Sequence, residues 1–171
     1  AGDLDLVFYG GLTGVQAQLQ NPEATIVAQR DIDPSFTSVF IANAEAGIDP
    51  VDSVEGLSVM AGKRFTFGSE TSTSGRLMPS YFLSQAGVAE PDLAGEPGFS
   101  GSHDSTIELV TSGSYEAGAL NSQVWQARME EGSIDTDKVI EVLVSPEFHD
   151  YHWLLRGDAD ARFGDGFAQD V

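Results

Sequence analysis

Apolar positions along this chain fall into short runs separated by glycine, proline and acidic clusters, and the runs switch between strand-like and helix-like spacing. Residues 4–9 predict a buried strand, followed by Gly10-Gly11 and a helical stretch around residues 15–19. Residues 25–29 and 36–42, rich in β-branched and aromatic side chains, predict two more strands. Asp52 opens a short helix ending near Gly62, residues 64–68 form the next strand, and residues 72–85 a helix stopped at Gly87. Residues 98–102 are expected as a loop leading into a helix over 104–111, with Gly113 as its C-terminal cap. Residues 116–120 predict a strand, 121–130 a helix ended by Gly132, Val139–Val144 a strand and 153–155 a further one. Strands alternating with helices imply an α/β fold with a largely parallel sheet. The chain starts almost directly on a strand, which would leave that strand without a neighbour on one side; a fragment of a larger protein is expected.

Charge narrows the partners. Twenty-seven acidic residues face eight basic ones in 171 residues, giving a net charge of −19. Such a field repels nucleic acid and anionic lipid, and it suits either a solvated surface in a salty medium or a cationic partner. An anionic ligand would have to be held by short-range neutral donors. There is no cysteine, which removes disulfides and Cys-based metal or redox sites. The longest apolar runs, such as residues 38–42, are far too short to span a bilayer. No secretory leader is present in these residues, so a signal peptide is expected to be absent from the chain.

Residues 67–75, Phe-Gly-Ser-Glu-Thr-Ser-Thr-Ser-Gly, carry the strongest chemical signal. They follow a strand and open a helix, where unpaired backbone N–H groups and the positive end of the dipole attract anions. Ser72, Thr73 and Ser74 add hydroxyl donors, and Gly75 lets a ligand approach the backbone. The same residues would equally serve as a simple helix cap. A nucleotide loop is excluded by the lack of a Gly-Lys-Ser/Thr ending, and a serine nucleophile lacks its Gly-x-Ser-x-Gly elbow. Ser100-Gly101-Ser102-His103-Asp104 is a second loop entering a helix; a neutral His103 there can donate to an oxyanion or act only as a capping residue. Tyr9 ends the first strand and could offer its hydroxyl at the same edge or pack in the core. His149 and His152, placed on opposite faces of one strand, do not converge as metal ligands, so no metal site and no cofactor are expected.

The run from Phe67 to Pro79 resembles the signature of phosphonate, phosphite and phosphate ABC-transporter substrate-binding proteins. Phe8-Tyr9-Gly10-Gly11-Leu12-Thr13-Gly14, Ser100-Gly101-Ser102-His103-Asp104 and Ala117-Gly118-Ala119-Leu120-Asn121 follow in that family's order. Gln29-Arg30-Asp31-Ile32-Asp33 and Ser38-Val39-Phe40-Ile41-Ala42-Asn43 look closest to a subgroup associated with selenate. The resemblance implies a type II periplasmic binding protein fold with one complete lobe and part of the second. It divides the chain into residues 1–36 of lobe 1, residues 37–144 as lobe 2 with hinge strands at its ends, and residues 145–171 returning to lobe 1. It also implies ligand contacts at Ser72, Thr73, Ser74 and His103, with Tyr9 from the opposite lobe.

Family members that bind aminophosphonates hold the ammonium with carboxylates, whereas the comparable stretches here read Ala119-Leu120-Asn121 and Glu147-Phe148-His149. A small oxyanion without an amine is therefore expected: selenate, phosphite, phosphate or methylphosphonate. A protonated anion would want an acceptor such as Asp104 or Glu70, whereas selenate would want donors only. The implied role is capture by hinge closure, without catalysis, in the periplasm and for an ABC-transporter permease. A ligand-sensing domain of a signalling receptor is the alternative. A hydrolase using Ser74 or His103 would lack an acid–base set. An isolated fragment is expected to bind weakly and to form a homodimer through its open sheet edge.

Overall fold

The computed structural model describes residues 4–171, and the chain divides into two compact units, Ala1–Phe36 with Glu147–Val171 and Thr37–Pro146. In the first, β1 (Leu6–Tyr9) leads into α1 (Gly11–Gln20) and β2 (Thr25–Ala28). In the second, β3 (Ser38–Asn43) is followed by a 3-10 segment, Val54–Met60, and β4 (Phe65–Phe67). A wide turn, Thr73–Leu77, then runs directly into α2 (Met78–Gln85). β5 (Gly98–Phe99), α3 (His103–Thr111), β6 (Ala117–Asn121), α4 (Ser122–Glu130) and β7 (Val139–Val144) complete that unit. The chain returns to the first unit with β8 (His152–Leu155), α5 (Ala159–Phe163) and α6 (Phe167–Asp170).

The larger unit is built on a five-stranded sheet in the order β5-β4-β6-β3-β7. β4 runs parallel to β5 and β6, while β3 is antiparallel to both β6 and β7. The sheet is thus mixed, not largely parallel. Alternating strands and helices give the order of elements but not their direction. The segment after β3 is a 3-10 stretch rather than a crossover helix, so nothing forces a parallel neighbour onto β3. Val39, Phe40, Ile41 and Ala42 are all fully buried, which is why this strand reads as a continuous apolar run without alternation. β7 alternates more, and its register slips at Phe40/Ile41. Ile107, Val110 and Trp125 bring α3 and α4 onto Val39, Ile41, Leu120 and Val139 to close a core. Gly118 makes the close approach possible: a Cβ there would stand 3.0 Å from the Thr66 carbonyl oxygen and from Thr106 Cγ2.

The smaller unit carries a three-stranded antiparallel sheet, β1-β8-β2, with β8 in the centre. The expectation of a buried first strand fails here: Leu4 is 68% and Leu6 41% exposed. β1 is an edge strand, and its apolar run is covered only in part by the described residues. The acidic and histidine-rich stretch at residues 149–152 is mainly architectural. The buried Asp150 carboxylate accepts the N–H of Gly11 at 2.8 Å, supplying a cap that the side chain of Gly10 cannot. Tyr151 stacks on Phe8 with centroids 5.2 Å apart. His152 is buried where a Cβ on Gly14 would come within 1.9 Å of its Nε2, and His149 lies outside the strand, exposed.

Candidate anion-binding site

Two loops that enter helices meet at the end of the parallel strands. Ser100 N–H donates to the Phe67 carbonyl at 3.0 Å, and Gly101 N–H to the Gly68 carbonyl at 3.3 Å, lashing the loop after β5 to the loop after β4. Gly68 N–H in turn donates to the Gly75 carbonyl at 2.8 Å. The contact point is Gly75, where a Cβ would stand 3.0 Å from Ser72 Oγ, 3.3 Å from Gly68 Cα and 3.3 Å from His103 Cε1. Glycine is needed because three groups already occupy that space. Ser72 and His103, far apart in sequence, thereby meet at Gly75, with Thr73 and Ser74 following Ser72 in the same turn.

The hydroxyls have different duties. Ser72 Oγ accepts the N–H of Gly75 at 2.9 Å as the helix cap, which leaves its own proton to donate. Ser74 is only 1% exposed, and its Oγ has no hydrogen-bond partner among the described residues. Buried hydroxyls are nearly always satisfied, so an orphan at a helix N-terminus between glycine-rich loops points to a ligand. Thr73 is buried beside it.

His103 begins α3, whose cap is Ser102: its Oγ accepts the N–H of Ser105 at 3.1 Å. Asn121 N–H donates to His103 Nδ1 at 3.4 Å, which assigns the imidazole proton to Nε2 and makes that nitrogen a donor. Burial holds the His103 pKa below its ordinary value, with the nearby Asp104 carboxylate opposing the shift. The ring is therefore neutral at pH 7 and donates one hydrogen bond. Asp104 is not a free acceptor for a protonated ligand, because Arg128 holds it through Nε at 2.8 Å and Nη2 at 3.2 Å. Glu70 is exposed. Arg76, the cation closest in sequence, lies 4.5 Å over the Phe67 ring and bonds Glu90 and Ser80. The chemistry offered is a set of short-range donors, built from neutral groups, in a strongly acidic protein.

Tyr9 belongs to the smaller unit, where it lines a groove of about 830 Å³ with Val7, Ala17 and Leu154. Sequence reasoning assigned no role to Asn121 as the partner of His103 or to Ser38, whose hydroxyl donates to the Ser74 carbonyl at 2.7 Å. The Asn121 contact is made by its backbone N–H, while its side chain caps α4 by accepting from Gln123 and Val124, so the cap gives no sign of the His103 pairing. The Ser38 contact spans 36 residues and has no local signal.

A mixed α/β fold with a donor-rich helix entrance is the arrangement of a periplasmic solute-binding protein. The chain belongs to the family of ABC-transporter periplasmic substrate-binding proteins for phosphonate, whose model matches residues 1–169. It is 51% identical over 170 residues to a probable ABC transporter phosphite-binding protein, PhnD1, of Prochlorococcus marinus, covering 99% of this chain and 57% of that protein. It is 30% identical over 145 residues to the phosphate-import protein PhnD of Mycolicibacterium smegmatis, covering 78% of this chain and 44% of that one. The structure of PhnD1 from Prochlorococcus marinus in complex with methylphosphonate superposes with a TM-score of 0.88 at 51% identity, covering 98% of this chain and 62% of that one. A binding-protein component of a phosphonate transporter from Pseudomonas aeruginosa shares the fold at 19% identity, with a TM-score of 0.69, covering 91% of this chain and 51% of that one. The chain thus spans somewhat more than half the length of its nearer relatives named here. The selenate association suggested by residues 29–33 and 38–43 finds no support in these comparisons, whose names give phosphite, phosphate and phosphonate. Those two stretches build structure instead: Arg30 clamps the buried Asp33, and residues 38–43 form the interior strand β3.

Proposed function

We propose that this chain carries the ligand-capturing site of an ABC-importer substrate-binding protein, and that its cargo is a small phosphorus oxyanion, phosphite or methylphosphonate. The observation that carries this reading is the buried, unpartnered Ser74 hydroxyl in the helix entrance at Ser72, where Gly75 packs against the His103 ring. Ser72, Thr73, Ser74 and His103 would hold the anion's oxygens, and Tyr9 is the candidate contact from the smaller unit. The 51% identical relative, PhnD1 of Prochlorococcus marinus, is named a probable phosphite-binding protein and has a structure in complex with methylphosphonate, which supports the same ligand class. The role is binding and delivery: the loaded protein would present its cargo to a membrane permease from the periplasm. Short-range donors offset a long-range field that opposes every anion, so binding should depend on site geometry more than on bulk charge.

Isothermal titration with phosphite, methylphosphonate, phosphate, sulfate and selenate tests this. Binding of phosphite or methylphosphonate ahead of the others is expected. Absence of heat with all five, or preference for sulfate or selenate, would overturn the assignment.

A further inference from the structure

The helix at the anion site opens in a wide turn, and three residues explain it. Leu77 N–H donates to the Ser72 carbonyl at 3.0 Å and Met78 N–H to the Thr73 carbonyl, the i to i+5 spacing of a π turn. Continued by one residue, that spacing assigns the Ser74 carbonyl to residue 79. Residue 79 is proline and has no N–H to give. The carbonyl of a residue as buried as Ser74 cannot turn to water, and an unmet acceptor there would be costly. Ser38 of β3, fully buried, supplies the missing donor through its hydroxyl at 2.7 Å. Ser38 is itself fixed, donating its N–H to Ser145 Oγ at 2.9 Å and accepting the N–H of Ser145 at 2.8 Å.

We propose that Ser38 is a positioning residue for anion binding: together with Pro79 it sets the π turn that presents the hydroxyls and N–H groups of residues 72–75. Pro79 removes the helical donor, and Ser38 replaces it from the buried strand β3. The turn is thereby tied to a fully buried strand as well as to its own helix. This rests on the assignment of residues 72–75 as the ligand site.

A thermodynamic cycle isolates the relation, because Pro79→Ala restores an N–H at residue 79 and makes the Ser38 hydroxyl redundant. Ser38→Ala alone should weaken methylphosphonate or phosphite binding about tenfold, or about 1.4 kcal/mol. In the Pro79→Ala background the same change should cost less than about twofold. Amide exchange of the unliganded proteins gives an independent reading: protection at Leu77 and Met78 should fall in Ser38→Ala and return in the double variant. If the single variant does not fold, recovery of folding in the double variant reports the same compensation. Equal losses in both backgrounds, or unchanged exchange at Leu77 and Met78, would overturn the proposal. Wild-type binding that Ser38→Ala leaves intact would overturn it alone. A wild type that binds no anion would remove the ligand site along with it.

Discussion

Replacing Ser74 by alanine should have effects of opposite sign on the free and the liganded protein. The hydroxyl is buried without a partner, so the folded, unliganded protein carries its desolvation cost, about 1–3 kcal/mol for such a group. Alanine removes that cost while keeping the backbone carbonyl that Ser38 satisfies. The unliganded variant should therefore be as stable as the wild type or more so, by up to about 4 °C per kcal/mol in a domain of this size. With an oxyanion bound, the same hydroxyl makes a charge-assisted hydrogen bond worth about 1.5–3 kcal/mol, so affinity should fall roughly 10- to 150-fold. Scanning calorimetry with and without methylphosphonate, backed by titration, measures both quantities in one series. A variant that melts lower when unliganded and binds as well as the wild type would refute the reasoning, because Ser74 would then be a satisfied structural residue.

Three further outcomes are expected. Gly75→Ala places a methyl group 3.0 Å from Ser72 Oγ and 3.3 Å from His103 Cε1; affinity should drop at least about tenfold, with roughly 1–3 kcal/mol of lost stability, and an unaffected titration would show that the loops can separate freely. Because burial depresses the His103 pKa, the unfolded chain binds that proton more readily than the folded one. The stability this confers is complete above the unfolded value near about 6.5 and is lost as pH falls from there through the folded value, at up to about 1.4 kcal/mol per pH unit. Urea melts at several pH values should show that slope reduced in His103→Gln, and an identical slope would assign it elsewhere. Leu4, Leu19 and Ile26 of the smaller unit are 68%, 76% and 44% exposed, and its sheet ends on β1 and β2; light scattering of this chain should detect self-association, whereas a monodisperse monomer would count against it.

Local patterns along the chain were enough to determine which residues enter helices beside glycine and hydroxyl clusters. Residues 67–75 and 98–104 announce strand-to-helix loops because caps, glycines and apolar runs act over a few residues. Fully buried strands such as β3 are equally visible, since burial on both faces demands an unbroken apolar run. The wide turn at Thr73–Leu77 is not legible in this way, since residues 72–85 read as one helix, although Pro79 lacks the N–H that would continue it. Strand direction lay beyond that reach, because direction is set by which distant segment completes a hydrogen-bond ladder: β3 is antiparallel to β6 and β7 although helices separate these strands along the chain. The same holds for the exposure of β1, which depends on what covers an edge. It holds most sharply for the site. Asn121 turns His103 into a donor at Nε2, and Ser38 answers the carbonyl that Pro79 leaves open. Such pairings follow from packing geometry, and a periodic pattern that says which face of a strand is buried does not say which buried polar groups will meet.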